Sequence, residues 1–372
     1  MLYTCHPAAA HAMRVQAKRA RGKTAPRRHF TVDIHCHVLT PEAERLAQPG
    51  FRPDYEPMLR HASEATREVN RKQQETIRGK LTTIETRLAD MDRLGIDVQA
   101  ISPAPPQYYY WAPAELGRET ARLVNNRIAE IVAGHPDRFV GMGTVPLQAP
   151  ELAVAELERM VKELDLRGVE ICTNVAGAEL SEPRFRPFFA KAEELGILIF
   201  MHPNGFSDGR RLSEHYFINV IGNPLDSTVA VSHLIFGGVL DAHPRLKICV
   251  AHGGGFLPAY SGRGDHAHGA RSDVRMGIKK KPTSYLKKLY FDSIVFTHHQ
   301  LDYLASTWGS NHILLGSDYP FDMAEPDPVG FVMGAKRLSS EDKAAIMGRN
   351  AAKLLKIRVP AARAGKAKRK RK

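Results

Sequence analysis

A chain of 372 residues, 43% of them hydrophobic and 25% charged, is long enough for one large decorated domain, and it holds no apolar run approaching a membrane span. Its formal charge of +13 comes from its ends: residues 1–30 and 356–372 carry sixteen of the 53 Lys and Arg and no acid, which leaves 37 bases against 40 acids between them. A nucleic-acid-binding enzyme concentrates positive charge on its folded surface, so the composition argues against a specific nucleic-acid partner and marks the two ends as disordered basic extensions of a single domain over 31–355.

The first strand is expected over 31–38, where Thr31 and Val32 lead into Asp33-Ile34-His35-Cys36-His37 and Val38-Leu39 follows. Period-2 geometry puts His35 and His37 on one face and turns Cys36 to the other, where it serves as a small hydrophobe. Two buried imidazoles on one face need a partner, and a divalent cation is the natural one. The polar stretch 41–80 then interrupts the pattern as an insertion, either a lid over the site or a solvated helical excursion.

Strands follow at 98–102, 139–145, 168–175, 198–202, 246–252, 289–296 and 312–318, with helix-period stretches at 114–133, 151–163, 184–195, 225–241 and 298–306 between them. Just past the second strand, Pro105-Pro106-Gln107-Tyr108-Tyr109-Tyr110-Trp111 supplies aromatic rings suited equally to a flat ligand at the mouth or to core or interface packing. The fifth strand ends in His202, the sixth in His252 and the eighth in Asp318. Eight strands alternating with helices predict an α/β fold of the (β/α)8 barrel type, and polar metal-capable residues at successive strand ends are how such a barrel builds its active site. His233, His243, His298 and His299 lack that placement and are read as helix or surface residues. Gly253-Gly254-Gly255 lacks the Lys-Ser/Thr of a phosphate loop and is read as a sharp turn beside the site. No G-x-G-x-x-G follows a strand, which disfavours nicotinamide-dependent oxidoreduction. The four cysteines, Cys5, Cys36, Cys172 and Cys249, include no C-x-x-C, and three fall in expected strands. A disulfide framework is therefore not expected, and the protein is read as cytoplasmic.

Asp33-Ile34-His35-Cys36-His37, Met201-His202-Pro203, Ala251-His252-Gly253-Gly254-Gly255 and Gly316-Ser317-Asp318-Tyr319-Pro320-Phe321 together resemble the amidohydrolase-related proteins, and more narrowly the aminocarboxymuconate-semialdehyde decarboxylase branch. The resemblance continues through 138–153 and 237–249 and covers 31–355. It implies metal ligation by His35, His37, His202 and Asp318, with His252 acting on the metal-bound water. Three imidazoles and a carboxylate suit one Zn2+ per chain, with Mn2+ as the alternative, and an open position for a water whose pKa the ion lowers to roughly 7. A bridged two-metal site needs a further anionic ligand, and the fourth strand's end, 171–175, offers none.

The resemblance also implies a homodimer in which Arg263 reaches across the interface to hold the carboxylate of the neighbouring subunit's substrate. The family's second carboxylate-binding arginine falls by ungapped count on Glu75, with Arg71 and Arg78 nearby, a departure that points away from a dicarboxylate substrate. The implied reaction is non-oxidative decarboxylation of an unsaturated or aromatic carboxylic acid, with His252 and Asp318 handling the proton. Hydrolysis of a C–C or amide-type bond uses nearly the same residues and is the alternative. A barrel without activity, serving as a scaffold, would be expected to break the five-residue set, and the set is intact.

Overall fold

The computed structural model describes residues 29–359. The basic extensions expected at 1–30 and 356–372 therefore lie outside the described residues except at 29, 30 and 356–359. Eight parallel strands form one sheet in chain order: β1 Val32–Val38, β2 Val98–Pro103, β3 Phe139–Gly143, β4 Gly168–Cys172, β5 Leu198–His202, β6 Lys247–Val250, β7 Tyr290–Asp292 and β8 Ile313–Leu314. A parallel bridge between Cys36 and Tyr319 and the bond from the Ile34 N–H to the Leu315 carbonyl join the last strand to the first. The expected (β/α)8 barrel is present.

Both faces of the strands are buried, as a parallel barrel covered by helices requires. Val32, Ile34, Ala100, Phe200, Cys249 and Leu314, drawn from five strands, pack together as one cluster, while Cys36 and Val38 join the larger cluster that contains helix residues such as Met91, Val124 and Leu157. Strict alternation from Ile34 would send His35 to the outer side. A register shift between Asp33 and Cys36 in the β1–β2 ladder resets the phase, so that both His35 and His37 meet His202.

Several strands are shorter than the sequence suggests. β4 stops at Cys172, and Asn174–Val175 pairs with Ala178–Glu179 as a small hairpin turned by Ala176 and Gly177, both at positive φ. β6 and β8 likewise stop before His252 and Asp318, which adopt φ of +56° and +61° and so sit on turns just past the strands. The helix expected over 225–241 runs Gly222–Phe236 and breaks at Gly238, φ +74°, where an added Cβ would lie 2.5 Å from the Gly277 carbonyl oxygen.

The insertion after β1 is a solvated helical excursion over part of its length and chain packed against the barrel over the rest. The helix Glu64–Thr82, capped by the Ser63 hydroxyl on the Thr66 N–H, is largely solvated and laced with pairs such as Arg71–Glu75. The segment before it, 53–61, folds back onto the barrel mouth, where the Gly205 position approaches Met58 so closely that a Cβ would lie 2.9 Å from its backbone nitrogen. Helix Ile84–Leu94 then fastens the end of β1: buried Arg87 donates to the His37 carbonyl and to Gln99 Oε1, and its guanidinium lies 4.8 Å from the Tyr319 ring centroid.

Candidate metal centre and active site

The barrel brings all five metal-capable residues to one point at the C-terminal ends of its strands. One ligand atom each from His35, His202, His252 and Asp318 lies within 4.8 Å of every other. His37 completes the set, its Nε2 being 3.1 Å from His35 Nε2 and 3.3 Å from Asp318 Oδ1. His35 Nε2 is 3.2 Å from the same Asp318 oxygen.

The local hydrogen bonds decide which nitrogen each ring presents. His35 Nδ1 donates to Asp292 Oδ2 at 2.7 Å, and His37 Nδ1 donates to the Pro103 carbonyl at 3.0 Å, so both turn Nε2 toward the cluster. Neither nitrogen of His202 has a hydrogen-bond partner, nor does Asp318 Oδ1, although all three atoms are buried. An unpaired buried polar atom costs about 1–3 kcal/mol, and a cation at the cluster would satisfy one His202 nitrogen and Asp318 Oδ1 together. The donor set, imidazole nitrogens and one carboxylate, fits a divalent ion such as Zn2+ or Mn2+.

Electrostatics follow the same geometry. Burial opposes a charge on His35, but Asp318 and Asp292 outweigh it and push the ring up to about 10. Burial and the neighbouring imidazoles hold His202 well below the usual histidine value. Burial also opposes the Asp318 carboxylate, yet His35, His252 and His37 keep it well below the usual range. His252 is the most open member, its side chain 16% exposed and its Nε2 3.7 Å from Asp318 Oδ2.

Three supporting carboxylates escaped the sequence reading. Asp292 ends β7 and accepts His35 Nδ1 together with the backbone N–H groups of His252, Gly253 and Ile294. It closes the apolar run 289–291 as Asp318 follows 313–315, and the same strand-end pattern could have found it. Asp33 ties β1 to Ser317 and Gln99. Glu170 lies within β4, two residues before its end. Its Oε1 accepts the Tyr108 hydroxyl and its Oε2 is 3.7 Å from His37 Nδ1, the ring nitrogen turned away from the cluster. The strand-end position itself is Cys172, in register with His202.

Other expectations separate from the site. Arg263 stands on the helix Gly262–Ala270, exposed and without an ion pair among the described residues, so this chain does not bring it to its own cluster. Arg71 and Glu75 pair with each other on the solvated helix, and Arg78 pairs with Glu44. His233 and His243 approach Glu179 and Glu193, His298 contacts the Phe331 carbonyl, and His299 edges a 680 Å³ hollow that holds none of the five cluster residues.

A cavity of 270 Å³ is lined by none of the five cluster residues but reaches Cys172, in register with His202, and Asn204, two residues beyond it. It is lined by Tyr55 and Glu56 from the insertion, Tyr110 and Trp111 after β2, Cys172 at the end of β4 and Asn204 after β5. Tyr55 and Trp111 stack at 5.1 Å with an interplanar angle of 16°. Burial, against hydrogen bonding, pushes the Glu56 carboxyl up to about 8.

The amidohydrolase family model matches residues 32–357. The chain belongs to the amidohydrolase family. Among curated amidohydrolase relatives, the 2-amino-3-carboxymuconate-6-semialdehyde decarboxylase of Dictyostelium discoideum is 31% identical over 330 residues, spanning 88% of this chain and 92% of that one, which supports the branch that the motifs suggest. Among solved amidohydrolase structures, 5-carboxyvanillate decarboxylase from Sphingomonas paucimobilis is 27% identical with a TM-score of 0.80, covering 88% of this chain and 99% of that one. Dihydroxybenzoic acid decarboxylase from Polaromonas, bound to manganese and the inhibitor 2-nitroresorcinol, is 26% identical with a TM-score of 0.75, covering 88% and 97%.

Proposed function

We propose that the protein is a metal-dependent, non-oxidative decarboxylase of an unsaturated or aromatic carboxylic acid. The observation that carries this reading is the convergence of four histidines and Asp318 on one buried point, where His202 and Asp318 Oδ1 lack hydrogen-bond partners, with an aromatic-lined cavity that reaches Cys172, the strand neighbour of His202. The three proteins compared above are all decarboxylases. His35, His37, His202 and Asp318 would hold one divalent ion, zinc by the donor set, while manganese is the ion in the Polaromonas structure. Such an ion supplies positive charge that anchors and polarises a substrate oxygen.

His252 is the proton carrier in this reading, being the cluster's most open member and near enough to Asp318 to be held in orientation. It delivers a proton to the carbon that bears the carboxylate, the C–C bond then breaks to release CO2, and its electron pair restores the conjugation that protonation interrupted. One proton is consumed per turnover, and solvent at the exposed edge of His252 replaces it. The Tyr55–Trp111 stack suits a flat, conjugated acid.

A homodimer is part of the proposal. Tyr260, three residues before Arg263 in the chain, is 70% exposed and Met276 86% exposed, and such open apolar side chains support a partner subunit and a guanidinium offered to the partner's substrate. Among the described residues no helix is long and apolar enough to cross a membrane, and free Cys36, Cys172 and Cys249 suit the reducing cytoplasm in which we place the enzyme.

The test is a panel of hydroxybenzoates, aminobenzoates and muconate-type acids in labelled water, following CO2 and ring absorbance together. CO2 release without label in the product supports decarboxylation. Label entering a new carboxylate with no CO2 formed establishes hydrolysis instead.

A further inference from the structure

Arg87 is the bulkiest of the fully buried side chains, 1% exposed, and no carboxylate forms an ion pair with it among the described residues. A guanidinium does not shed its proton, so hydrogen bonds and a ring contact alone hold this charge in the interior. Burying a cation on those terms is costly. Its contacts converge on the residues that carry the proposed metal ligands.

Three contacts radiate from the one group. Nη2 donates to the carbonyl of His37 itself. Nη1 donates to Gln99 Oε1 at 3.0 Å; the same amide donates from Nε2 to Asp33 Oδ2 at 3.1 Å, and that oxygen accepts the Ser317 hydroxyl at 2.6 Å. The guanidinium carbon lies 4.8 Å from the centroid of the Tyr319 ring. The Tyr319 hydroxyl in turn donates at 2.9 Å to Asp90, on the same helix, Ile84–Leu94, as Arg87. Ser317 and Tyr319 are the two chain neighbours of Asp318. Arg87 therefore grips His37 by its carbonyl and reaches Asp318 from both flanks.

The geometry on the site's side of these contacts is demanding. His37 Nε2 and Asp318 Oδ1 stand 3.3 Å apart, although the two residues come from opposite ends of the chain. Asp318 is held at φ +61°, in the left-handed region, which a residue other than glycine keeps where its surroundings over-determine it. The ties on Ser317 and Tyr319 supply that constraint.

We infer that Arg87 is a positioning residue of the metal centre: through the His37 carbonyl, Gln99 and Tyr319, one guanidinium sets the separation of His37 from Asp318. The inference rests on the reading of those two residues as metal ligands. A lysine keeps the charge but not the geometry, because one ammonium cannot meet a carbonyl, an amide and a ring face together.

The experiment titrates full-length, metal-free protein with Zn2+ against a competing chelator and records the ligand-field absorption of the Co2+-substituted protein. Arg87→Lys is expected to bind Zn2+ about 10–100-fold more weakly than wild type, the range for partners that orient a ligand, and to shift the Co2+ band. Gln99→Met severs one route and should weaken Zn2+ binding by a smaller factor. Added to Arg87→Lys it should weaken binding no further, since both act along one path. Gln99→Met also decides the matter alone if Arg87→Lys does not fold. A merely structural Arg87 lowers the melting temperature of metal-free and metal-loaded protein alike and leaves Zn2+ affinity and the Co2+ band at wild-type values. That result in a folded Arg87→Lys protein, or in Gln99→Met when Arg87→Lys does not fold, overturns the inference, and so do additive losses in the double variant. If the wild type itself binds no Zn2+, the ligand reading fails and takes the inference with it, an outcome distinct from wild-type affinity in the variants.

Discussion

Asp292 Oδ2 accepts Nδ1 of His35 at 2.7 Å and also the backbone N–H of His252 at 2.9 Å, so a single carboxylate orients a proposed metal ligand and anchors the turn that carries the proposed proton carrier. Groups that fix a ligand's tautomer are worth about 10–100-fold in metal affinity. We therefore expect Asp292→Asn to weaken metal retention by about that factor in a competitive chelator titration and to lower turnover even when metal is restored in excess. Wild-type affinity in a folded Asp292→Asn protein would remove the positioning role.

The five-residue cluster separates into holders and a carrier. Purified protein should contain one divalent ion per chain by elemental analysis. His202→Ala and Asp318→Ala should lose it on dialysis, whereas His252→Ala should retain it and lose turnover by about 10²–10⁴-fold. Loss of metal from His252→Ala to the extent seen for the other two would make His252 a ligand.

Glu56 provides a prediction in which only stability is measured. Its carboxyl is raised from 4.5 to about 8 in the folded chain, chiefly by burial, so the folded state holds a proton that the unfolded state has released. That contribution is fully present below about pH 4.5 and is lost as pH rises toward 8, at up to roughly 1.4 kcal/mol per unit. Glu56→Gln removes the titration. Its stability relative to wild type should rise by a few kcal/mol between about pH 5 and pH 9 in denaturant unfolding. A pH-independent difference would show that Glu56 ionises freely.

Arg263 is exposed and has no ion pair among the described residues, so its proposed role needs a neighbour. Arg263→Ala should impair turnover without lowering thermal stability. Mixing it with His252→Ala should restore activity through the hybrid site that keeps both groups. Absence of recovery, with subunit exchange demonstrated by differently tagged chains, would confine Arg263 to its own chain or to no role.

The barrel and its five clustered residues are legible in the sequence because His202, His252 and Asp318 each mark a place where an apolar run stops, while His35 and His37 share one face of the first strand. The ring of strands leaves little freedom in where such stops converge. What the sequence hides is phase and distance. The register shift in β1 that turns His35 inward has no signature in Asp33-Ile34-His35, and the strands expected to reach His252 and Asp318 end earlier because both residues take left-handed turns. Glu56 lies in a polar insertion whose composition resembles any solvated loop, and only the fold brings it to Asn204. Glu170 was passed over because it stands inside its strand, where a lone carboxylate between Val169 and Ile171 gives no sign of His37 behind it.

The join between the first and last strands has a consequence for how this molecule resists heat. Asp318 donates its backbone N–H to the His35 carbonyl at 2.8 Å, and His37 donates its own to the Tyr319 carbonyl at 2.9 Å. The side chains proposed to grip the ion thus hang from the two edges that must meet to shut the ring, and the ion becomes a clasp across that seam. An ion at a hundred times its dissociation constant adds about 2.7 kcal/mol to the folded state. Chelation should therefore be felt first as fraying along the seam, with hydrogen exchange quickening at Ile34, His37 and Asp318 before the helices on the far side of the barrel respond.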